Sequence, residues 1–271
     1  MPLDFLGRID NSAPEGAADI SATDSAIEQT ATAVFADFCG KGAEPAGRAV
    51  IADGTTAQKI AAELGVKTVA KPQADAGELL LVGPDGKTSA AQVVAAANRG
   101  ANVLVLCNDT VAKGLGFVLK PCGPDVYWVK FDHQNSDLQG IGQSQLRWRE
   151  RMKYSVLQQG SAPSGTRIDG EGIFASMRFK GGGTVFVSQY DPYYLENKIA
   201  TAEFYFVNNK KNPVSEKNRA RDLKHGDLSF ERGRQFTARL LTNLGASPTT
   251  GEVKLYNGLK STFDPYLYTY W

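Results

Sequence analysis

The stretch ELLLVGPDGKTSAAQVVAAANRGANVLVLCND, residues 78–109, decides the fold of this chain. Residues 78–83 form a continuous apolar run, which is typical of a strand that is covered on both faces of a sheet. The amphipathic segment AAQVVAAANRG follows, with Gly100 as a helix stop, and residues 101–109 form a second apolar run. Strand, helix and strand in this order predict a βαβ unit with parallel strands.

The residues before this stretch repeat the alternation. RAVIAD, residues 48–53, predicts a strand that ends in Asp-Gly, and TTAQKIAAELG, residues 55–65, predicts a helix. That helix has a threonine available as N-cap, Ile60 and Leu64 on one face, and Gly65 as its stop. VKTVAK, residues 66–71, predicts a further short strand. The pattern as a whole predicts an α/β fold with a doubly wound, mostly parallel sheet and helices on both faces.

The second half of the chain predicts extra β-hairpin elements and one strong helix. GIFASMRF and GGGTVFVSQYD read as strands joined by a glycine-rich turn at residues 181–183. A phosphate loop is the alternative for this turn, but the G-x-x-x-x-G-K-[ST] motif is missing and a strand follows where a phosphate loop needs a helix. Phe236, Leu240 and Leu244 share one helical face in residues 228–247, and Gly245 ends that helix.

These patterns divide the chain into three parts. Residues 1–45 are acidic and rich in small residues, and we interpret them as a lead-in or linker. Residues 46–247 hold the α/β domain. Residues 248–271 end in TFDPYLYTYW, an aromatic tail that we expect to dock on a surface.

Composition excludes several classes of protein. The chain has 271 residues, 42% of them hydrophobic and 22% charged, which is typical of a soluble globular protein. A net charge of +1 provides no field to attract nucleic acid, and no apolar run approaches the length of a membrane span. No signal peptide opens the chain, so export would require a signal upstream of residue 1. Three cysteines and two histidines, without metal-ligand spacing, predict no metal site, and no motif indicates a cofactor.

Three segments of the chain carry a family resemblance. They are residues 78–106, FDHQNSDLQGIGQSQLRWRERM at residues 131–152, and GGGTVFVSQYDP with ERGRQFTARLLTNLGAS at residues 181–192 and 231–247. In this order they resemble the class I glutamine-amidotransferase-like domain, of flavodoxin-like fold, at the C-terminus of bacterial glycoside hydrolase family 2 and β-galactosidase-like proteins. The closing FDPYLYTYW resembles the aromatic end of the same enzymes. The resemblance implies a flavodoxin-like fold and an accessory domain without chemistry of its own.

The cysteine and histidine positions of this chain can be compared with the catalytic residues of an active amidotransferase. An active class I amidotransferase presents its cysteine in a Gly-x-Cys-x-Gly elbow, followed downstream by a histidine and a glutamate. Here the strand-end cysteine is Cys107, and neither elbow position is a glycine. His133 precedes Gln134 and Asn135, and His225 is followed by Gly226 and Asp227, so no His-x-Glu is present. The triad is absent in its usual form, and we expect no catalytic residue in this chain.

Two groups of residues are candidates for binding a ligand. Strand ends gather at one edge of a parallel sheet, which is the usual ligand crevice of such folds. That edge should hold Asp53, Gly83, Cys107, Asn108 and Asp109, although capping and turn formation explain the same residues. The second group is an aromatic cluster after the strand TVFVSQ, which could stack on a sugar ring or pack against a neighbouring domain. Its members are Tyr190, Asp191, Tyr193 and Tyr194.

Three functional hypotheses follow. The first is a noncatalytic accessory domain of a carbohydrate-active enzyme, whose partners are the other domains of a glycoside hydrolase or further copies of the chain. The second is a carbohydrate-binding module that uses the two groups of candidate residues. The third is an independent hydrolase with Cys107 or an unrecognised carboxylate pair as the catalytic group. A catalytic (β/α)8 barrel does not fit, because the pattern contains too few strand and helix pairs.

Overall fold

The computed structural model describes residues 45–121, 126–128, 131–132, 134–141, 147–152, 155–190 and 233–249. The strands in these ranges are β1 Ala49–Asp53, β2 Glu78–Val82, β3 Asn102–Leu106, β4 Val118–Pro121, β5 Val126–Trp128, β6 Arg147–Met152, β7 Ser155–Gln158, β8 Arg167–Asp169, β9 Phe174–Arg178 and β10 Thr184–Ser188. The α-helices are α1 Thr55–Glu63, α2 Ala90–Asn98, α3 Asp109–Gly114 and α4 at residues 233–243. Single 3-10 turns lie at Ser136–Leu138 and Gly170–Gly172.

Within the described residues, the main sheet has six strands in the order β1-β2-β3-β10-β9-β8. Strands β1, β2, β3 and β10 are parallel, and β9 and β8 continue the sheet in antiparallel pairing. A parallel bridge joins Val50 to Thr68 on the other side of β1. With that segment counted as the second strand of the chain, the parallel strands lie in the order 2-1-3-4-5, which is the flavodoxin-like order. The predicted flavodoxin-like, mostly parallel sheet is therefore confirmed.

Strands β2 and β3 show why continuous apolar runs form the centre of this sheet. Leu79, Leu81, Leu104 and Leu106 belong to one buried cluster, and Leu80, Val82, Val103 and Val105 belong to another on the opposite face. Side chains of a strand alternate between its two faces, so a strand covered on both sides needs an apolar residue at every position. Burial on both faces follows directly from the sequence of these two segments.

Helices cover both faces of the sheet, as predicted. Ile60 and Leu64 of the α1 segment and Phe236 and Leu240 of α4 belong to the first cluster. Val93 of α2 and the α3 residues Val111 and Ala112 belong to the second cluster. The predicted stops Gly65, Gly100 and Gly245 all have positive φ values, of 61°, 95° and 100°. Glycine adopts this left-handed conformation without a steric cost, so each helix ends where the sequence indicates.

The VKTVAK segment forms less structure than predicted. It contributes a single bridge, in which Val50 N donates to Lys67 O at 2.8 Å and Val69 N donates to Val50 O at 2.9 Å. Lys67 and Thr68 are exposed. Val66 and Val69 pack against the two core clusters, but residues 70–73 are exposed, so no apolar burial extends the pairing beyond Val69.

The second half of the chain contains the predicted hairpin elements. β9 and β10 pair antiparallel across the turn at residues 179–183, where Phe179 N donates to Gly183 O at 2.9 Å. The glycine-rich turn is therefore a hairpin connection. Strands β4 and β7 form a second antiparallel pair, and β5 and β6 form a third.

Two ends of the α/β domain meet in the structure. Arg48 N donates to Gly245 O at 2.9 Å, and Gly47 N donates to Ser247 Oγ at 3.1 Å. Both contacts lie just inside the predicted limits of 46 and 247. The lead-in of residues 1–45, apart from residue 45, and most of the aromatic tail lie outside the described residues, so the three-part division stays a prediction.

Candidate functional site

The carboxyl ends of the parallel strands meet at one edge of the sheet, and most of the first group of candidate residues gathers there. Gly83 N donates to Asp53 O at 2.8 Å, which joins the ends of β2 and β1. Asn108 Nδ2 donates to Gly83 O at 2.9 Å, which ties the end of β3 to the same point. The predicted meeting of these strand ends is present.

Asp85, which the sequence did not single out, occupies the N-terminus of α1. Its carboxylate accepts hydrogen bonds from Thr55 N at 2.7 Å, from Thr56 N at 3.3 Å and from the Thr55 hydroxyl. These bonds, first from the Thr55 side chain and then from the backbone, lower the pKa of Asp85 from its ordinary 3.8 to about 2. The helix N-terminus attracts anions, and here the chain supplies its own carboxylate.

This arrangement corrects the predicted cap of α1. The N-cap position is Gly54, not a threonine, and its backbone has a positive φ of 98°. A Cβ atom at Gly54 would lie 2.6 Å from Asp85 Oδ1. The position therefore needs glycine both for its conformation and for the close approach of the capping carboxylate.

Asp53 holds the next part of the same loop. Its Oδ2 accepts from Thr88 N at 2.6 Å. Burial raises the pKa of Asp53, but hydrogen bonds from Thr88 and from the backbone of Lys87 outweigh burial, and the net pKa is lowered. Asp53 is therefore a carboxylate at neutral pH.

Asn108 and Asp109 begin α3. Asn108 Oδ1 accepts from Val111 N at 3.0 Å, so Asn108 is the side-chain N-cap, and its side chain is buried. Asp109 is the exposed acidic residue of the first turn. Capping and strand-end bonding thus account for the contacts of Asn108, and Asp109 is placed where a negative charge favours the helix N-terminus.

Cys107 lies in a sharp turn between β3 and α3. Its φ is +46°, a left-handed conformation that is rare outside glycine, and its backbone N donates to Ser188 O at 2.8 Å. The side chain is half-buried rather than fully buried. A strained strand-to-helix turn is the backbone form of a nucleophile elbow, and here it forms without the flanking glycines that the sequence argument required. His133 and His225 lie outside the described residues.

Tyr190 of the aromatic cluster is a core residue. Its exposure is 1%, and its ring meets that of Phe236 edge-on at 5.2 Å between centroids. The face of the Tyr190 ring is therefore not accessible to a sugar at the surface. Asp191, Tyr193 and Tyr194 lie outside the described residues.

The second segment of the family resemblance is bound to the sheet through polar side chains. Asn135 Nδ2 donates to Asp169 Oδ2 at 2.8 Å, and the buried Asp137 pairs with Arg178 at 2.5 Å. Both contacts join this segment to the antiparallel side of the sheet. These two contacts therefore have a structural role at that side of the sheet.

Sequence reasoning also missed a buried amide at the same carboxyl edge. Gln189 follows β10 and is 4% exposed, and within the described part of the chain its Nε2 has no hydrogen-bond partner.

The loop residues Asp85 and Thr88 were missed because their partners lie about 30 positions away in the sequence. The GPDGKTS composition indicates a turn, but no local pattern indicates which helix that turn will cap.

A scan against protein-family models finds no match, and a search of the curated proteins finds none either. Over the described residues, no three His, Cys, Asp or Glu side chains come together in a way that could hold a metal ion. In the same part of the chain, no helix has the length and apolar character needed to cross a membrane. The fold and the site geometry thus define a flavodoxin-like α/β domain whose carboxyl edge is bonded largely to itself.

Proposed function

We propose that this chain is a noncatalytic accessory domain that provides structural and interdomain contacts within a larger carbohydrate-active enzyme. The likeness of three segments to the amidotransferase-like domain of glycoside hydrolase family 2 proteins supports the choice of parent. The flavodoxin-like strand order is the fold that this likeness implies.

One observation carries the noncatalytic part of the proposal. In folds of this type, a ligand binds where the first strand passes to the first helix, because the helix N-terminus attracts a negative group. Here the Asp85 carboxylate takes that place, with three hydrogen bonds from Thr55 and Thr56. A phosphate or carboxylate ligand would have to displace a group that is already bonded and charged.

The backbone of Cys107 favours a second candidate function, an independent hydrolase. A positive φ at a strand-to-helix turn exposes a nucleophile in enzymes that use such an elbow. A thiol also needs a base to become reactive at neutral pH. The two functions predict different results for the isolated chain.

The test is an assay of the isolated chain with aryl glycosides and with glutamine, beside a Cys107→Ala variant. We expect no turnover above the uncatalysed rate in either protein. Turnover by the unchanged chain that disappears in Cys107→Ala would overturn the proposal and establish the second candidate. Circular dichroism of both proteins confirms that each one is folded.

The coding sequence upstream of residue 1 tests the choice of parent enzyme. We expect the same reading frame to encode a β-sandwich and a (β/α)8 barrel before this domain. A stop codon followed by a promoter directly before Met1 would contradict an interdomain role.

A further inference from the structure

A cleft of about 270 Å³ lies on the α2 side of the sheet. Strands β1 and β2 form its floor, α2 forms one wall, and the connection at residues 71–74 forms the other. Its size is slightly below the usual range for ligand pockets, which begins at roughly 300 Å³. The cleft therefore suits a small molecule of about one ring.

The floor of the cleft is aliphatic. Ile51 of β1 and Leu80 of β2 line it, and Ala96 of α2 and Ala74 continue the aliphatic surface onto the two walls. All four residues are buried. Among the described residues that line the cleft, none is aromatic. Such a floor accepts the apolar face of a small ring by contact, but it offers no stacking partner for a nucleobase.

Asp53 supplies a hydrogen-bond acceptor at one end of the cleft. Its carboxylate already accepts from Thr88 and from the backbone of Lys87. An ionised carboxylate has about four acceptor positions on its two oxygens, so Asp53 can accept about one further donor in the cleft. A ligand group that meets Asp53 must therefore be a donor.

Donors line the rest of the cleft. Lys71, Arg99 and Gln92 contribute to its walls. Gln92 Oε1 accepts from Ser89 N at 2.8 Å, so the amide nitrogen of Gln92 is the group that can serve a ligand as a donor. A ligand group that meets these side chains must be an acceptor.

The two cations are already neutralised by carboxylates of the chain. Lys71 Nζ lies 2.5 Å from Glu78 Oε1, and Arg99 Nε lies 3.3 Å from Asp75 Oδ1. Arg99 also donates to Ala74 O at 2.8 Å and 3.1 Å. The cleft thus carries charges of both signs, and it strongly favours neither an anionic nor a cationic ligand.

We propose that this cleft binds a small neutral polyol of the size of one sugar ring. Hydroxyl groups both donate and accept, so one ligand can donate to Asp53 and accept from Gln92 and Arg99. The aliphatic floor contacts the apolar face of the ring. This role goes beyond the proposed structural function and does not depend on whether the chain is catalytic.

The experiment is isothermal titration of the whole chain with glucose, galactose, mannose, fucose and myo-inositol, with phosphate and glycine as charged probes. We expect saturable binding of at least one polyol and none of the charged probes. Absence of saturable polyol binding by the folded chain, up to tens of millimolar, overturns the inference. Binding of phosphate or glycine in place of polyols overturns it as well.

Variants of α2 assign the binding to this cleft. Ala95 is exposed and lines the cleft, whereas Ala91 is exposed on the same helix and does not line it. Leucine is nearly as good a helix former as alanine, so Ala95→Leu and Ala91→Leu should both fold. We expect Ala95→Leu to weaken polyol binding at least about tenfold and Ala91→Leu to leave it unchanged. Equal binding by the two variants would place the ligand elsewhere and overturn the assignment.

An Asp53→Asn variant tests the acceptor. Its amide oxygen can still accept from Thr88 N, while the other oxygen is replaced by a donor. We expect weaker polyol binding and a lower thermal stability, because the donors of Thr88 and Lys87 lose part of their acceptor. Circular dichroism confirms that the variant is folded. Unchanged affinity would exclude Asp53 from the site. If the chain binds no polyol and turns over no substrate, this inference is overturned, whereas the proposed noncatalytic function still stands.

Discussion

Asp85 shows how one residue from a distant loop can replace a local helix cap. The sequence favours a threonine as the cap of α1, because threonine is common there. In the structure, the Thr55 hydroxyl donates a hydrogen bond to Asp85. The hydroxyl therefore binds the capping carboxylate and does not itself cap the helix. The helix N–H groups need an acceptor, and the fold brings Asp85 to them.

Replacing Asp85 by alanine should destabilise the domain. Two backbone N–H groups of α1 lose their acceptor, and loss of such a cap costs about 1–2 kcal/mol of unfolding free energy. Urea unfolding followed by circular dichroism measures the change. Lys87→Ala in the same exposed loop is the control, and we expect it to change stability by less than about 0.5 kcal/mol. Equal stabilities of the two variants would show that Asp85 does not support α1.

The contribution of Asp85 should depend on pH. Its pKa is about 2 in the folded chain and 3.8 ordinarily, so folding is favoured when the carboxylate is charged. That stability is complete above about pH 5 and is lost as the pH falls through 3.8 towards 2. The difference in unfolding free energy between the unchanged chain and Asp85→Ala should shrink over this interval. A difference that stays constant down to pH 2 would contradict the assigned pKa.

At the scale of elements, the β9–β10 hairpin owes its glycines to packing as well as to turn geometry. A Cβ atom on Gly183 would lie 2.2 Å from Ala101 O and 2.4 Å from Ala97 O. Gly182 has a positive φ of 88°, but a Cβ atom there would meet nothing within 4 Å. The turn thus sits directly against the C-terminal end of α2, which no property of the hairpin sequence alone reveals.

Alanine variants of the two glycines should separate these requirements. Gly182→Ala introduces only backbone strain and should cost about 1 kcal/mol. Gly183→Ala forces the turn away from α2 and should cost about 3 kcal/mol, as expected for overpacking against a rigid backbone. Urea unfolding of both variants provides the comparison. A smaller loss for Gly183→Ala than for Gly182→Ala would mean that the turn can move away from α2 at little cost.

At the scale of the whole molecule, α4 joins the end of the domain to its beginning and its centre. Phe236 stacks on Phe174 of β9 at 5.5 Å between ring centroids and meets Tyr190 edge-on. Asn102 of β3 donates to Leu244 O at 2.8 Å, and Arg48 N bonds to Gly245 O. These contacts close one face of the sheet with residues from the far end of the chain.

Removal of the Phe236 ring should therefore weaken the whole domain. Phe236→Ala should lower the unfolding free energy by about 3–5 kcal/mol, the cost of deleting a buried aromatic side chain. Gln235→Ala on the same helix is only partly buried and should cost less than about 1 kcal/mol. Thermal unfolding, followed by both far-ultraviolet and near-ultraviolet circular dichroism, should show one transition at a lower temperature. Loss of α4 signal alone, with the rest of the domain unchanged, would show that α4 is not part of the cooperative unit.

The sequence by itself determined the elements of the parallel layer. Continuous apolar runs marked β2 and β3, helical spacing marked α1, α2 and α4, and glycines marked their ends, because burial and backbone sterics act on residues close together in the chain. It also predicted that Asp53, Gly83 and Asn108 would meet, since parallel strands end at a common edge. Only the tertiary structure decided how that edge is bonded. The Asp85 cap, the left-handed Cys107 and the cleft beside Asp53 depend on groups far apart in sequence, and local patterns do not encode which of them will touch.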